Sequence, residues 1–387
     1  MKIALVMIDD FSMYHFRKGL IRKLVKHGYD VTVIVPPGKF TAKLEALGAR
    51  VVLIPMHRFI SPISDVRMFY RLWRIFRDEA FDIVHNMTIK PNIYGTIAAR
   101  LAGIPRVVCL VSGTGYMFFQ NEKFLEKLLH KVVVSLYRLA MRFAHKTWFQ
   151  NPDDLQYFVR AGIIEQEKGV LIRSGGINTE EFALDRVSRE EIESLRAEFH
   201  IPPNTKCVLM VTARLIWSKG VREFVEAAEA LSQRFPEWCF IMVCPNDPGS
   251  PDHVPEEYVR THRNDKLIIV DFFRYDIEVF EAMADIMVLP SYYREGVPRT
   301  LLEGLSMGKP IITTDHPGCR EAVDEGMNGY LIPIRDFRSL VDRLEKIMSD
   351  PLKRNEFGKH ARYKAVHEFS ETLVISKIMQ ELYHIQG

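Results

Sequence analysis

The chain has 387 residues, 47% hydrophobic and 26% charged, with 52 Lys+Arg against 49 Asp+Glu for a formal net charge of +3. At ~150 residues per domain this length predicts two or three domains, and the ordinary globular composition excludes disordered, collagen-like and coiled-coil chains. The small net charge conceals an asymmetry. Residues 1–175 hold 26 Lys+Arg and 14 Asp+Glu, a net of +12, while the remainder holds 26 and 35, a net of −9. An excess of that size on one half predicts an anionic partner for it.

From the first residues onward, short apolar runs alternate with longer segments of helical spacing. Lys2 leads straight into the run Ile3–Ile8 and then Asp9–Asp10, which reads as a strand and not as a signal peptide. The runs Val31–Val35, Val51–Pro55, Asp82–Asn86, Val107–Val111, Thr147–Gln150 and Gly169–Ile172 follow, each separated by a candidate helix. Near-continuous hydrophobic strands between helices predict a parallel sheet covered on both faces. Arg173-Ser-Gly-Gly-Ile-Asn178 is a loop signal, after which the alternation restarts. Its strands are Cys207–Thr212, Cys239–Val243, Leu267–Val270, Ile286–Pro290, Pro310–Thr314 and Gly329–Pro333, and the last ~50 residues read as three helices. The predicted fold is α/β: two Rossmann-like lobes, 1–175 and 176–368, facing a cleft, with a C-terminal helix over 369–387. No apolar stretch reaches the ~18 residues of a membrane span. Cys109, Cys207, Cys239, Cys244 and Cys319 form no C-x-x-C pair and read as buried reduced thiols.

In such sheets ligands bind beyond the carboxyl ends of the strands, so the loops there carry the chemistry. The first strand–helix turns, Asp9–Phe16 and Ala213–Gly220, contain no G-x-G-x-x-G, and neither a P-loop nor a G-x-S-x-G is present. Other groups must hold any phosphate. Arg214 and Lys219 flank the turn after Cys207–Thr212, where two cations beside the positive end of a helix call for an anion. A diphosphate satisfies both, taking a fork from Arg and a point charge from Lys, although solvated surface cations would give the same spacing.

Pro290-Ser-Tyr-Tyr-Arg-Glu-Gly-Val-Pro-Arg-Thr-Leu-Leu-Glu-Gly304 is the most informative stretch. Pro298 suits a first helical turn. The Glu295–Gly296 turn and the N–H groups of Val297, Arg299 and Thr300 are placed to receive a phosphate. Glu303, among Leu301, Leu302 and Leu305, suits a ribose diol, and Glu295 suits a sugar beside the phosphate. Phe272, Phe273 and Arg274 offer edges for a nucleobase, with at least one ring expected in the core. His316-Pro-Gly-Cys-Arg-Glu321 adds a glycine turn and another acid.

The spacing R-x4-K-G, E-G-x6-E and P-G-x2-E resembles the retaining glycosyltransferases of family 4, across nearly the whole chain. That resemblance implies the GT-B architecture, with Arg214 and Lys219 on the donor diphosphate, Glu303 on the ribose, Glu295 beside the donor sugar, and a C-terminal helix bracing the first lobe. The Tyr14–Arg17, Ile89–Gly95 and Ser112–Tyr116 loops resemble more narrowly the bacterial enzymes that extend glycans on undecaprenyl diphosphate. That match implies His15, Arg17 and Lys90 near the acceptor. Gly113-Thr114-Gly115 stands where many family members have a His, so His85 becomes a substitute candidate. The activity implied is retaining transfer of an N-acetylhexosamine, GalNAc first, from a UDP-sugar to a lipid-diphosphate glycan, without a metal or other cofactor. A UDP-sugar epimerase or a non-catalytic nucleotide-sugar binder are the alternatives.

The basic excess has an address. Arg58, Arg67, Arg71, Arg74 and Arg77 interleave with Phe59, Met68, Phe69, Tyr70, Trp73 and Phe76, and Lys123–Lys146 repeats the pattern. Such helices suit an anionic membrane surface, which predicts a peripheral protein on the cytoplasmic face of the inner membrane. A core face with a solvated basic back accounts for the periodicity but not for the net +12. Nucleic acid fits less well, since no helix–turn–helix or zinc pattern appears.

Overall fold

A computed structural model describes residues 1–57, 61–113 and 124–385, with side chains described outside 124–129. The chain divides into two compact units, Met1–Gly176 with Glu371–Gly387, and Ile177–Ser370. The boundaries read from sequence fall one residue before the first junction and two before the second.

In the first unit β1 (Lys2–Val6), β2 (Asp30–Val35), β3 (Arg50–Leu53), β4 (Ile83–Met87), β5 (Arg106–Val111), β6 (Lys146–Phe149) and β7 (Gly169–Leu171) form one sheet ordered β3-β2-β1-β4-β5-β6-β7. All its pairings are parallel. The order reverses between β1 and β4, so the loops after those two strands flank the place where ligands bind such sheets. Residues from β1, β2, β4 and β5 are buried on both faces, which is why their stretches read as largely apolar, with Thr32, His85 and Asn86 as buried polar exceptions.

The C-terminal segment belongs to this unit's core. After Ser370 the helix Glu371–Lys377 widens into π-helical turns over Ile378–Tyr383, where the sequence predicted one continuous helix. Val374, Ile378, Met379 and Leu382 pack with Ile3, Leu5, Leu20 and Trp148. Tyr383 reaches His85 on β4, with its hydroxyl 2.7 Å from Nδ1. His85 is fully buried, and burial, followed by the Arg17 charge, pushes its imidazole down to about 3. It is therefore a neutral core residue and not the acceptor-assisting group suggested by its chemistry alone.

That burial has a pH consequence. The unfolded imidazole takes a proton below its ordinary value near 6.5, whereas the folded one stays neutral down to about 3. Stability from this group is therefore complete above 6.5 and is lost as pH falls towards 3. Between pH 7.5 and 5.0 the loss is about 2 kcal/mol. In denaturant melts at the two pH values, His85→Gln should lose less stability on acidification than wild type by about that amount. Equal losses would contradict this account of His85.

The second unit contains β8 (Lys206–Val211), β9 (Trp238–Val243), β10 (Leu267–Val270), β11 (Ile286–Leu289), β12 (Ile311–Thr314) and β13 (Gly329–Ile332), ordered β10-β9-β8-β11-β12-β13 and parallel throughout. Its switch point lies between β8 and β11. The helices Phe337–Met348 and Pro351–Glu368 close one side, with Leu340, Leu344, Ile347, Phe357 and Ala361 in the core. All five cysteines are buried and free.

Candidate functional site

The second unit's switch point gathers the residues singled out after β8 and β11. The two loops are joined by backbone bonds: Tyr292 and Tyr293 donate their N–H groups to the Ser218 carbonyl at 2.8 and 3.1 Å. That pairing sets Lys219 against Glu295, Nζ to Oε1 at 2.7 Å, with both side chains more than four-fifths buried. Ser291 donates its hydroxyl to the same Glu295 oxygen at 3.1 Å. Arg214 lies 3.7 Å from Asp247, in the loop after β9.

Tyr293 links the two cations. The Arg214 guanidinium is 5.3 Å and the Lys219 ammonium 5.6 Å from the centre of its ring. Two cations thus gather around one aromatic ring at the sheet's switch point, each beside a carboxylate.

Glycine makes this closeness possible. Gly220 has φ +82°, and a Cβ there would lie 2.3 Å from the Pro290 carbonyl oxygen. Gly318, after β12, has φ +84°, and its Cβ would lie 1.9 Å from the Gly296 oxygen. The P-G turn thus presses directly on the backbone of the E-G turn.

The helix Arg299–Ser306 begins at Pro298, which caps it without a side-chain hydrogen bond and stands one residue before the first turn where sequence placed it. Val297 is buried beside this start. Glu303 lies in the second turn, and its Oε1 accepts from Arg299 Nε at 2.7 Å. Arg299 therefore offers more than its backbone N–H: its guanidinium orients Glu303.

After β10 the expectation needs correction. Phe272 and Phe273 are 53% and 49% exposed, so neither ring is in the core. Arg274, expected on the donor, is instead bound by Glu198 at 2.5 Å and Asp276 at 2.6 Å, and ties this loop to the helix Arg189–Glu198. The Arg274 guanidinium lies 6.0 Å from the Phe272 ring centre, and Tyr275 packs edge-on to Phe273 at 4.8 Å, so both half-exposed rings are held within the loop.

The first unit's candidates are more deeply engaged than their charge suggested. Arg17 is 3% exposed, stacks 4.9 Å above Trp148 and donates to the Phe16 carbonyl at 2.8 Å and that of Gly175 at 3.4 Å. It braces the end of the unit, and an acceptor reaches it only by displacing that packing. Lys90 is buried and pairs with Asp65 at 2.5 Å. His15 packs among Phe11, Tyr14 and Phe40, with ring centres 4.3, 5.3 and 4.9 Å away. Gly113 has φ +101° at the end of β5, while Thr114 and Gly115 lie outside the described residues, as do Arg58, Phe59 and Lys123.

The helix Pro62–Glu79 buries Asp65, Met68, Leu72 and Phe76 and exposes Ile63, Val66 and Tyr70 beside Arg67, Arg71, Arg74 and Arg77. Its outer face is therefore apolar as well as basic. The basic helix ends at Met141, and Lys146 opens β6. Among the described residues no helix is long and apolar enough to cross a membrane, and no three His, Cys, Asp or Glu side chains gather as a metal set.

Two sequence families cover most of the chain: "Glycosyl transferase 4-like" matches residues 2–151 and "Glycosyl transferases group 1" residues 191–364. The chain belongs to the GT-B glycosyltransferases. The glycosyltransferase is 29% identical over 98% of both chains to the N,N'-diacetylbacillosaminyl-diphospho-undecaprenol alpha-1,3-N-acetylgalactosaminyltransferase of Campylobacter jejuni. It is 28% identical to the UDP-Gal:alpha-D-GlcNAc-diphosphoundecaprenol alpha-1,3-galactosyltransferase of Escherichia coli, over 84% of this chain and 81% of that one. Anabaena HepE, solved in complex with UDP, shares the fold with a TM-score of 0.80, 20% identity and full coverage of both chains.

Three residues at this switch point carried no signal in the sequence: Ser291, Tyr293 and Asp247. Tyr293 stood inside the quoted motif, and its spacing from Arg214 became meaningful only once β8 and β11 were neighbours.

Proposed function

We propose that this glycosyltransferase moves an N-acetylhexosamine, GalNAc first, from a UDP-sugar to a saccharide carried on undecaprenyl diphosphate, with retention at the anomeric carbon. The observation that carries the reading is the pair Arg214 and Lys219 over Tyr293, next to Glu295 and the start of the Arg299–Ser306 helix. The end-to-end similarity to the Campylobacter enzyme supports the donor and acceptor.

In this reading the donor diphosphate takes Lys219 from Glu295 and Arg214 from Asp247. Each cation then faces charge that grows as the sugar–phosphate bond breaks, which is where electrostatic stabilisation acts on rate. Two side-chain cations and a helix start carry that charge, and no metal ion enters the scheme. Released from Lys219, Glu295 accepts hydrogen bonds from sugar hydroxyls. Glu303 takes the ribose diol, and an exposed ring of Phe272 or Phe273 takes the base. Retention follows from attack on the face the leaving group departs from, with a phosphate oxygen receiving the acceptor proton.

The acceptor belongs to the first unit in this proposal, at the loops that carry His15, Lys90 and Gly113. Its lipid suits the Ile63, Val66 and Tyr70 face, whose arginines attract anionic headgroups. The protein is proposed to act as a peripheral enzyme on the cytoplasmic face of the inner membrane.

A donor screen tests the specificity. UDP-GalNAc, UDP-GlcNAc, UDP-Gal, UDP-Glc and GDP-Man are each offered with polyprenyl-diphosphate sugars, and nucleotide release is measured. UDP-GalNAc should give the highest kcat/KM, and a preference for GDP-Man would contradict the donor assignment.

A further inference from the structure

Glu281 lies in the short helix Ile277–Met283, between the base-side loop after β10 and the helix that carries Glu303. It is fully buried, and neither of its carboxylate oxygens accepts a hydrogen bond. Its helix packs against the helix Arg299–Ser306, whose Glu303 carboxylate acts on it at short range and is also an acceptor. Two carboxyl groups form a hydrogen bond only when one of them carries a proton. Glu303 has Arg299 at 2.7 Å and some exposure, so its charge is compensated. Glu281 has neither advantage, and the proton belongs on Glu281.

We infer that Glu281 is a positioning residue, a protonated carboxyl that donates a hydrogen bond to Glu303 and fixes that carboxylate for the donor's ribose. Glu303 is then held from two sides, by Arg299 at Oε1 and by Glu281. A carboxylate gripped in this way needs no reorganisation when it accepts a diol.

The surrounding charges agree. Burial first, and then the Glu303 charge, push the Glu281 carboxyl well above the usual range, while Arg299 pulls it down and Glu278 pushes it up. Glu278 is itself raised, mainly by burial. Lys309 donates to the Ala282 carbonyl at 2.8 Å, and burial lowers it to about 8 against the pull of Asp285.

The inference rests on Glu303 being the ribose ligand, and the experiment separates the two. Glu281→Gln keeps a donor to Glu303, whereas Glu281→Leu removes it. The leucine variant should raise the KM for UDP-sugar about tenfold with kcat within about twofold, and the glutamine variant should stay near wild type. Wild-type KM should rise towards alkaline pH as Glu281 ionises beside Glu303, and Glu281→Gln should abolish that rise. Infrared difference spectra should contain a protonated carboxyl band at neutral pH that Glu281→Gln removes. This band needs no donor and no leucine variant, so it decides the protonation even if that variant fails to fold.

If both variants leave KM and its pH profile unchanged and only lower Tm, Glu281 is packing and the inference is overturned. The absence of the infrared band overturns it too. A wild-type enzyme whose UDP affinity is unchanged by Glu303→Ala removes instead the ribose assignment beneath it.

Discussion

Lys219→Ala lowers kcat at saturating UDP-sugar by about 10²–10³-fold, the usual effect of removing one group that stabilises charge developing in the transition state. The loss should fall on kcat more than on KM, because the charge on the leaving phosphate is larger in the transition state than in the bound donor. Arg214→Ala should fall in the same range, since both cations lie against the Tyr293 ring. Removing Lys219 also strips Glu295 of its ion pair, leaving Ser291 as its hydroxyl partner. Unchanged turnover in Lys219→Ala and Arg214→Ala would remove the phosphate assignment.

Gly318→Ala should abolish measurable transfer, or lower it at least about a hundredfold, by displacing the Glu295–Gly296 turn. Two costs combine. A left-handed backbone costs an L-residue about 1–2 kcal/mol, and a Cβ 1.9 Å from the Gly296 carbonyl oxygen forces one loop away from the other. Glu295 is the residue before Gly296, so the shift also disturbs the Lys219 pair. Gly326→Ala is the control. Its φ of +76° is also positive, but nothing lies within 4 Å of its added Cβ. It should lower stability by about 1 kcal/mol and leave kcat alone. Equal effects of the two substitutions on activity would show that backbone strain, and not the contact between turns, is responsible.

The strands were legible because each sheet is parallel and covered on both faces, so that β1, β8 and β11 carry apolar residues without alternation. The helix Glu371–Lys377 was also legible, but the π-helical turns after it were not, since nothing local to Ile378–Tyr383 marks the change and Tyr383 gains its role from His85, 298 positions away. The same limit governs the site. Arg214, Lys219, Glu295 and Glu303 stood out because their spacing places them at strand ends and a helix start. Arg17 and Lys90 looked available because Trp148 and Asp65 are distant in sequence. Arg274 was misread for a related reason: the partner that holds it, Glu198, lies on a helix 76 residues earlier. Glu281 carried no signal in sequence, where Phe-Glu-Ala-Met reads as an ordinary helix, and became visible only through its burial against Glu303.

The basic first unit and the acidic second unit acquire separate meanings in this account. Positive charge in the first is spread over an exposed face of the helix Pro62–Glu79. In the second, Arg214 and Lys219 concentrate it at one switch point within an acidic unit.

The central claim is that sugar leaves UDP for a lipid-linked acceptor, and product analysis tests it most directly. The purified enzyme is incubated with UDP-GalNAc labelled in the sugar, with and without undecaprenyl-diphosphate-linked saccharide, and the organic-soluble and aqueous products are separated. The account predicts label in the lipid fraction only when acceptor is present, with UDP released in equal amount and the α-anomer formed. Rapid formation of an epimeric UDP-sugar without acceptor, and no label in the lipid, would contradict it.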